Sequence, residues 1–153
     1  MNYFSLALLF FSGFTCIAQT FQKKRDPIYR TDFETVLVAA SSTITVSRYK
    51  SPSELEYTLQ VQTQNSSCGS QSGLRLVLLN GEQITLPDNP VRCDALRSHQ
   101  FQLSSSFVLT PQLLQKLTQQ DIAYFVIGDV TVPVQYKEEG ENIPQLLMTV
   151  IRD

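Results

Sequence analysis

The chain has 153 residues, among them 12 Lys or Arg, 14 Asp or Glu, three Cys and one His. About 18 N-terminal residues have the pattern of an export signal, which leaves about 135, enough for one domain with a hydrophobic core. The net charge of −2, the few cysteines and the lack of any repeat argue against a zinc cluster, a repeat array, a coiled coil and a multi-pass membrane protein.

The N-terminal segment from Tyr3 to Ala18 is uncharged and mostly apolar. It is shorter than the roughly 20 residues of a membrane-spanning helix. An apolar stretch that ends in small residues is instead typical of a cleaved signal peptide. The segment before it lacks Lys and Arg, so an apolar N-terminal element of the folded domain is the alternative. Lipoprotein anchoring at Cys16 is disfavoured because Thr15 stands where Gly, Ala or Ser normally precedes a lipidated Cys.

These patterns predict a signal peptide over residues 1–18, a flexible lead-in over 19–31 and one β-rich domain over 32–153. The protein is therefore expected to be exported, to the periplasm or the extracellular space, with no transmembrane anchor in the mature chain.

Export gives the two remaining cysteines a predicted role. In an oxidising compartment, a pair of cysteines in a small domain usually forms a disulfide. Cys68 and Cys93 flank a predicted hairpin, so a bridge between them would tie its two outer ends together. Two buried free thiols are the alternative.

Strand patterns dominate the first part of the chain, at residues 36–39, 43–49 and 54–62. Alternation of apolar and polar residues indicates strands with one buried face. The third pattern is the clearest, with four apolar residues expected on one face: Leu55, Tyr57, Leu59 and Val61.

A β-hairpin is predicted around Asn80-Gly81, which separates the apolar runs 74–79 and 83–86. Such a turn needs positive φ at both central residues. The composition of residues 65–73 indicates a loop before this hairpin, and the prolines in 87–90 are expected to close it. Two further short strands are predicted at 99–103 and 107–109.

Two helices are predicted, at residues 110–120 and 144–151. Thr110 can cap the first and Pro111 suits its first turn. Between them, residues 122–127 and 130–134 form a hairpin through Gly128-Asp129, and Pro133 indicates that its second strand lies at a sheet edge. The expected fold is mainly β, an antiparallel β-sandwich or rolled sheet with these one or two short helices.

Catalytic and metal-binding patterns are weak in this sequence. His99 lies near Asp94 and the serine run 104–106, but no nucleophile motif accompanies it, and a position at a strand start or in a turn is the simpler interpretation. Cys68, Cys93 and His99 lack the close spacing of zinc ligands. The acidic segment 138–141 lacks the alternating ligands of a calcium loop and is expected to be a solvated turn. We therefore predict no catalytic, metal or cofactor-binding residue and no cofactor.

The polar composition is uncharged rather than ionic: 15 Gln, 13 Ser and 12 Thr follow Ala18. One basic run, Lys23-Lys24-Arg25, lies in the lead-in, so nucleic-acid binding is not expected. A neutral polar surface suits hydrogen bonding to a protein, peptide or saccharide of the envelope, and it equally suits a soluble domain that binds nothing. The segment Asn65-Ser66-Ser67 also fits the N-glycosylation pattern, which has meaning only in a host that glycosylates.

A broader similarity covers about half of the chain. From Tyr57 to Gly128 the sequence resembles small exported bacterial proteins of mostly unassigned function, through the YTLQVQ strand, Cys68, the LRLVLLNGEQITL hairpin, Cys93 and the stretch FQLSSSFVLTPQLLQKLTQQDI. The resemblance implies export, a disulfide and a β-rich fold, and it supplies no catalytic residues.

Together, these features predict an exported, non-enzymatic binding or assembly module that acts through a sheet face or through loop residues such as 65–73. A small envelope hydrolase or inhibitor, with a site built from scattered residues, is the first alternative. The second is a subunit of an envelope complex that uses the edge strand at 130–134 for strand addition.

Overall fold

A computed structural model describes residues 30–39, 41–97, 99–136 and 142–152, with the backbone alone for 30–37 and 39. The predicted signal peptide, Cys16, the basic run 23–25 and the acidic segment 138–141 lie outside these ranges.

Strands make up most of the described chain, and the elements follow in this order: β1 (Arg30–Ala39), β2 (Ser42–Lys50), β3 (Leu55–Asn65), β4 (Ser72–Leu78), β5 (Gln83–Pro90), β6 (Arg92–Ala95), β7 (Phe101–Val108), α1 (Pro111–Gln119), β8 (Ile122–Ile127), β9 (Val130–Pro133) and α2 (Ile143–Arg152). They form a five-stranded sheet of order β1-β2-β3-β7-β6 and a four-stranded sheet of order β5-β4-β8-β9. All the strand pairs are antiparallel. The predicted mainly β, sandwich-like fold with two short helices is confirmed.

The core lies between the inner faces of the two sheets. In β2, every second residue from Ser42 to Arg48 is buried while those between are half-buried, which is the period of a strand with one face in the core. The opposite sheet contributes Leu74, Leu76 and Phe125, all at most 1% exposed. Leu59 and Val61 of β3 point inward as predicted, whereas Leu55, at the end of that strand, is 55% exposed.

Both helices form where predicted. The Thr110 side chain accepts a hydrogen bond from the Leu113 backbone N–H at 3.3 Å, and Pro111 occupies the first turn of α1. Helix α2 buries four apolar residues against α1, β1 and β2: Ile143, Leu146, Leu147 and Val150. Within the described ranges, neither helix combines the length and apolar character that crossing a membrane would require.

The turn of the β4–β5 hairpin differs from the prediction. Only Gly81 has a positive φ, +84°, whereas positive φ was expected at Asn80 as well. Gly81 N–H donates to Leu78 C=O at 2.9 Å and Leu78 N–H donates to Glu82 C=O at 2.9 Å. The connection is therefore a three-residue turn that ends in a left-handed glycine.

Several strand limits also differ from the prediction. The two strands predicted at 99–103 and 107–109 are one strand, β7, which runs from Phe101 to Val108 through the serine run and leaves His99 and Leu109 outside it. Residues 87–90 extend β5 instead of closing the hairpin. Strand β1 begins at Arg30, inside the predicted lead-in. The short strand β6 was not predicted, because only its pairing with β7 defines it.

Candidate functional site

The outward side chains of three adjacent strands, β2, β3 and β7, are mostly uncharged and polar. Register aligns Thr43 with Gln62 and Ser104, and Thr45 with Gln60 and Ser106. Ser47, Thr58 and Val108 form the next row. We call this surface the polar face, and its members on β2, β3 and β7 are Thr43, Thr45, Ser47, Thr58, Gln60, Gln62, Gln64, Gln102, Ser104 and Ser106.

Alternation along the strands builds the polar face, because each of its residues lies between two that point into the core. Ile44, Val46, Leu59 and Val61 are fully buried on the inner side of β2 and β3. Their polar neighbours on these two strands are half-buried, except Gln64, which is exposed. The hydrophobic pattern therefore also fixes which hydroxyls and amides share one surface.

Charged residues stand at the margins of the polar face. Glu56, opposite Tyr49, ends it on one side. Arg92 and Asp94 lie on the edge strand β6 and bind each other, with 2.7 Å between Nε and Oδ2. No residue of the polar face carries a charge, so its interaction capacity consists of hydroxyl and amide groups that both donate and accept hydrogen bonds.

The end of the molecule beside Gln64 is held rigidly. Cys68 and Cys93 are bonded at 2.01 Å, as the sequence predicts, so the β3–β4 connection is tied to β6. Ser70 N–H donates to Asp129 Oδ2 at 2.9 Å. Gly128 N–H donates to Gly73 C=O at 2.9 Å. The predicted loop 65–73 begins inside β3 and ends inside β4, and the connection between these strands packs on the β8–β9 turn.

The middle residue of the serine run, Ser105, has a structural role in β7. Ser105 Oγ accepts a hydrogen bond from Asn89 Nδ2 at 2.7 Å and donates to Pro90 C=O at 2.8 Å. Because Asn89 and Pro90 belong to the other sheet, these bonds link the two sheets. His99 lies outside β7, is exposed and has a φ of +57°, so of the two predicted positions it occupies a turn and not a strand start.

Asp121 accepts three hydrogen bonds, and no motif in the sequence marks this residue. Its Oδ1 accepts hydrogen bonds from Tyr136 Oη at 2.5 Å, from Ile122 N–H at 2.9 Å and from Ile143 N–H at 3.2 Å. Burial and then the nearby Asp121 carboxylate raise the pKa of the Tyr136 phenol far above its ordinary value. The arrangement joins β8, the segment after β9 and the start of α2, so we assign it to stability.

Strand β9 lies at an edge of its sheet, as predicted. It is only four residues long and ends at Pro133, which has no N–H to donate. Beyond it, Gln135 N–H donates to Val38 C=O of β1 at 2.8 Å. The chain thus turns from one sheet to the other directly after this edge.

A shallow depression lies along α2 and is lined by residues of that helix: Pro144, Gln145, Met148, Thr149 and Arg152. Among the residues that the structure describes, no three His, Cys, Asp or Glu side chains are grouped as metal ligands. The chain matches no protein-family model, no curated protein and no solved structure. We take the polar face as the candidate site because three adjacent strands align their uncharged hydrogen-bonding side chains on it.

Proposed function

We propose that the protein is an exported, non-enzymatic binding module whose polar face binds a component of the cell envelope. The observation that carries the proposal is the assembly of uncharged hydrogen-bonding side chains from three adjacent strands on one surface. The apolar N-terminal segment and the Cys68–Cys93 bond support export, since disulfides persist in oxidising compartments.

The rigid support of this surface favours binding. Its three strands lie in the interior of the five-stranded sheet, and the disulfide fixes the adjoining connection. A surface that is already ordered loses little conformational entropy on binding, so weak hydrogen bonds can add up to useful affinity.

A test compares two double variants of the protein for retention on the envelope fraction of its native cell. Gln60→Ala/Gln62→Ala removes two amides from the polar face. Gln83→Ala/Thr85→Ala removes exposed side chains from the outer face of the other sheet. We expect the first variant to bind at least tenfold more weakly and the second to bind like the wild type. Equal binding of both variants, or no binding of the wild type, would refute the proposal.

A further inference from the structure

The absence of charge from the polar face limits the chemistry of its ligand. Nucleic acids and other polyanions are bound through Lys and Arg that neutralise their charges. The three described strands of the face offer neither residue at its outward positions, and Arg92 at the margin is already paired with Asp94. A charged ligand would lose its hydration on this surface without gaining a counter-charge. A neutral ligand has no charge to compensate and therefore matches the surface better.

A protein or peptide partner fits the polar face less well. Protein interfaces are anchored by buried Trp, Tyr and Arg side chains, whereas Ser is depleted there. The central rows, from Thr43–Gln62–Ser104 to Ser47–Thr58–Val108, contain none of these anchors. Extended peptides usually bind by pairing with a sheet edge, not by lying across a face.

A saccharide matches the groups that the polar face presents. Within the polar face, Thr43 Oγ1 donates a hydrogen bond to Gln62 Oε1 at 3.3 Å. The amide hydrogens of Gln62, the Gln60 amide and the neighbouring hydroxyls can in turn donate to or accept from the adjacent hydroxyls of a sugar ring. The exposed Val108 side chain, at 50% exposure, and the Thr58 methyl beside it supply apolar contact for the C–H groups of the ring.

The dimensions of the polar face suit a chain of sugars. From Thr58 to Gln64 the outward residues of β3 span about 20 Å at about 3.3 Å per residue. Gln60 and Gln62 stand at the middle of this line, with Thr43 and Thr45 of β2 on one side and the exposed Ser106 of β7 on the other. Ser104, which pairs with Gln62, is only 8% exposed and offers little surface to a ligand. A linear glycan can therefore lie along β3 and contact all three strands.

We propose that the polar face binds a neutral linear polysaccharide, aligned with β3, through the amides of Gln60 and Gln62 and the apolar patch of Val108 and Thr58. This inference rests on the proposed binding function and specifies the ligand class.

Affinity electrophoresis of the native protein tests this ligand class. Gels contain hydroxyethylcellulose or dextran as neutral polysaccharides, or polygalacturonate as an anionic one. We expect retardation by at least one neutral polymer and none by polygalacturonate. Gln60→Ala/Gln62→Ala should weaken the apparent affinity at least tenfold, while the control Gln83→Ala/Thr85→Ala leaves it unchanged. No retardation by either neutral polymer, stronger retardation by the anionic one, or equal retardation of both variants would overturn the proposal.

A second measurement separates failure of this inference from failure of the binding function. The envelope fraction is treated with periodate, which cleaves vicinal diols of sugars, or with a protease, before the retention assay is repeated. If periodate abolishes the retention that depends on Gln60 and Gln62, the result supports a saccharide ligand. Retention that survives periodate and is lost after protease leaves the binding function intact and overturns the saccharide proposal.

Discussion

At the scale of single residues, Asp121 and Tyr136 show how one carboxylate can join distant parts of a chain. The carboxylate accepts two backbone N–H groups and the phenol hydroxyl, and these donors come from three different segments. Hydrogen bonds to a charged group each contribute about 1.5–3 kcal/mol, more than those between neutral partners. These hydrogen bonds hold the start of β8, the segment after β9 and the start of α2 together.

Tyr136→Phe should destabilise the fold and remove part of its sensitivity to alkali. The folded protein holds the phenol protonated, because burial and Asp121 raise its pKa, while in the unfolded chain it ionises near its ordinary value. The contribution of Tyr136 is therefore complete below about pH 10 and declines as the pH rises above it. Urea unfolding at pH 8 and pH 10.5 should show a smaller alkaline loss for the variant. Equal losses in both proteins would contradict this account.

At the scale of elements, two glycine turns with similar backbone angles differ in their surroundings. Gly81 has a φ of +84° and a Cβ added there would meet no atom within 4 Å. Gly128 has a φ of +56°, and a Cβ there would lie 2.6 Å from the Ser70 carbonyl oxygen. The first position is constrained by conformation alone, and the second by conformation and by close packing of the β3–β4 connection.

Gly81→Ala and Gly128→Ala form a matched pair that separates these two effects. The left-handed conformation should cost each variant about 1–2 kcal/mol of unfolding free energy. Gly128→Ala should lose at least about 1 kcal/mol more, because the steric overlap forces the backbone to move. Chemical denaturation of both proteins measures the difference. Similar losses would show that the contact with Ser70 relaxes without cost.

The elements also show what the sequence can reveal about this fold. Strands with alternating apolar residues, such as β3, were predictable because the period of burial is visible in the chain. Strand β7 was divided in the prediction, since a serine run has the composition of a loop. Its hydroxyl at Ser105 is satisfied only by Asn89 and Pro90 of the other sheet. Strand β6 has no apolar pattern and is defined by its partner.

The polar face was only partly predictable, because the sequence does not show which distant strands pair. Alternation in β3 predicts that Gln60 and Gln62 share an outward surface. The pairing of β3 with β7 that places Ser104 and Ser106 beside them joins segments far apart in the sequence. The prediction could therefore supply the residues of one strand and the neutral character of the surface, but not the assembled face.

At the scale of the whole molecule, the disulfide joins parts that the strand order separates. Cys68 follows β3 near the centre of the five-stranded sheet, and Cys93 lies on its edge strand β6. The chain between them contains the complete β4–β5 hairpin of the other sheet. One covalent bond thus fixes the point at which the chain leaves the first sheet and the point at which it returns.

Replacing both cysteines, as Cys68→Ser/Cys93→Ser, should lower the free energy of unfolding by about 3 kcal/mol, because the bond closes a loop with a sequence separation of 25 residues. Urea unfolding of the wild type and the variant measures this loss, and reduction of the wild type should produce a comparable shift. A thiol assay on the denatured protein should find two more thiols after reduction than before. An unchanged thiol count would show that the bond does not form and would remove its support for export.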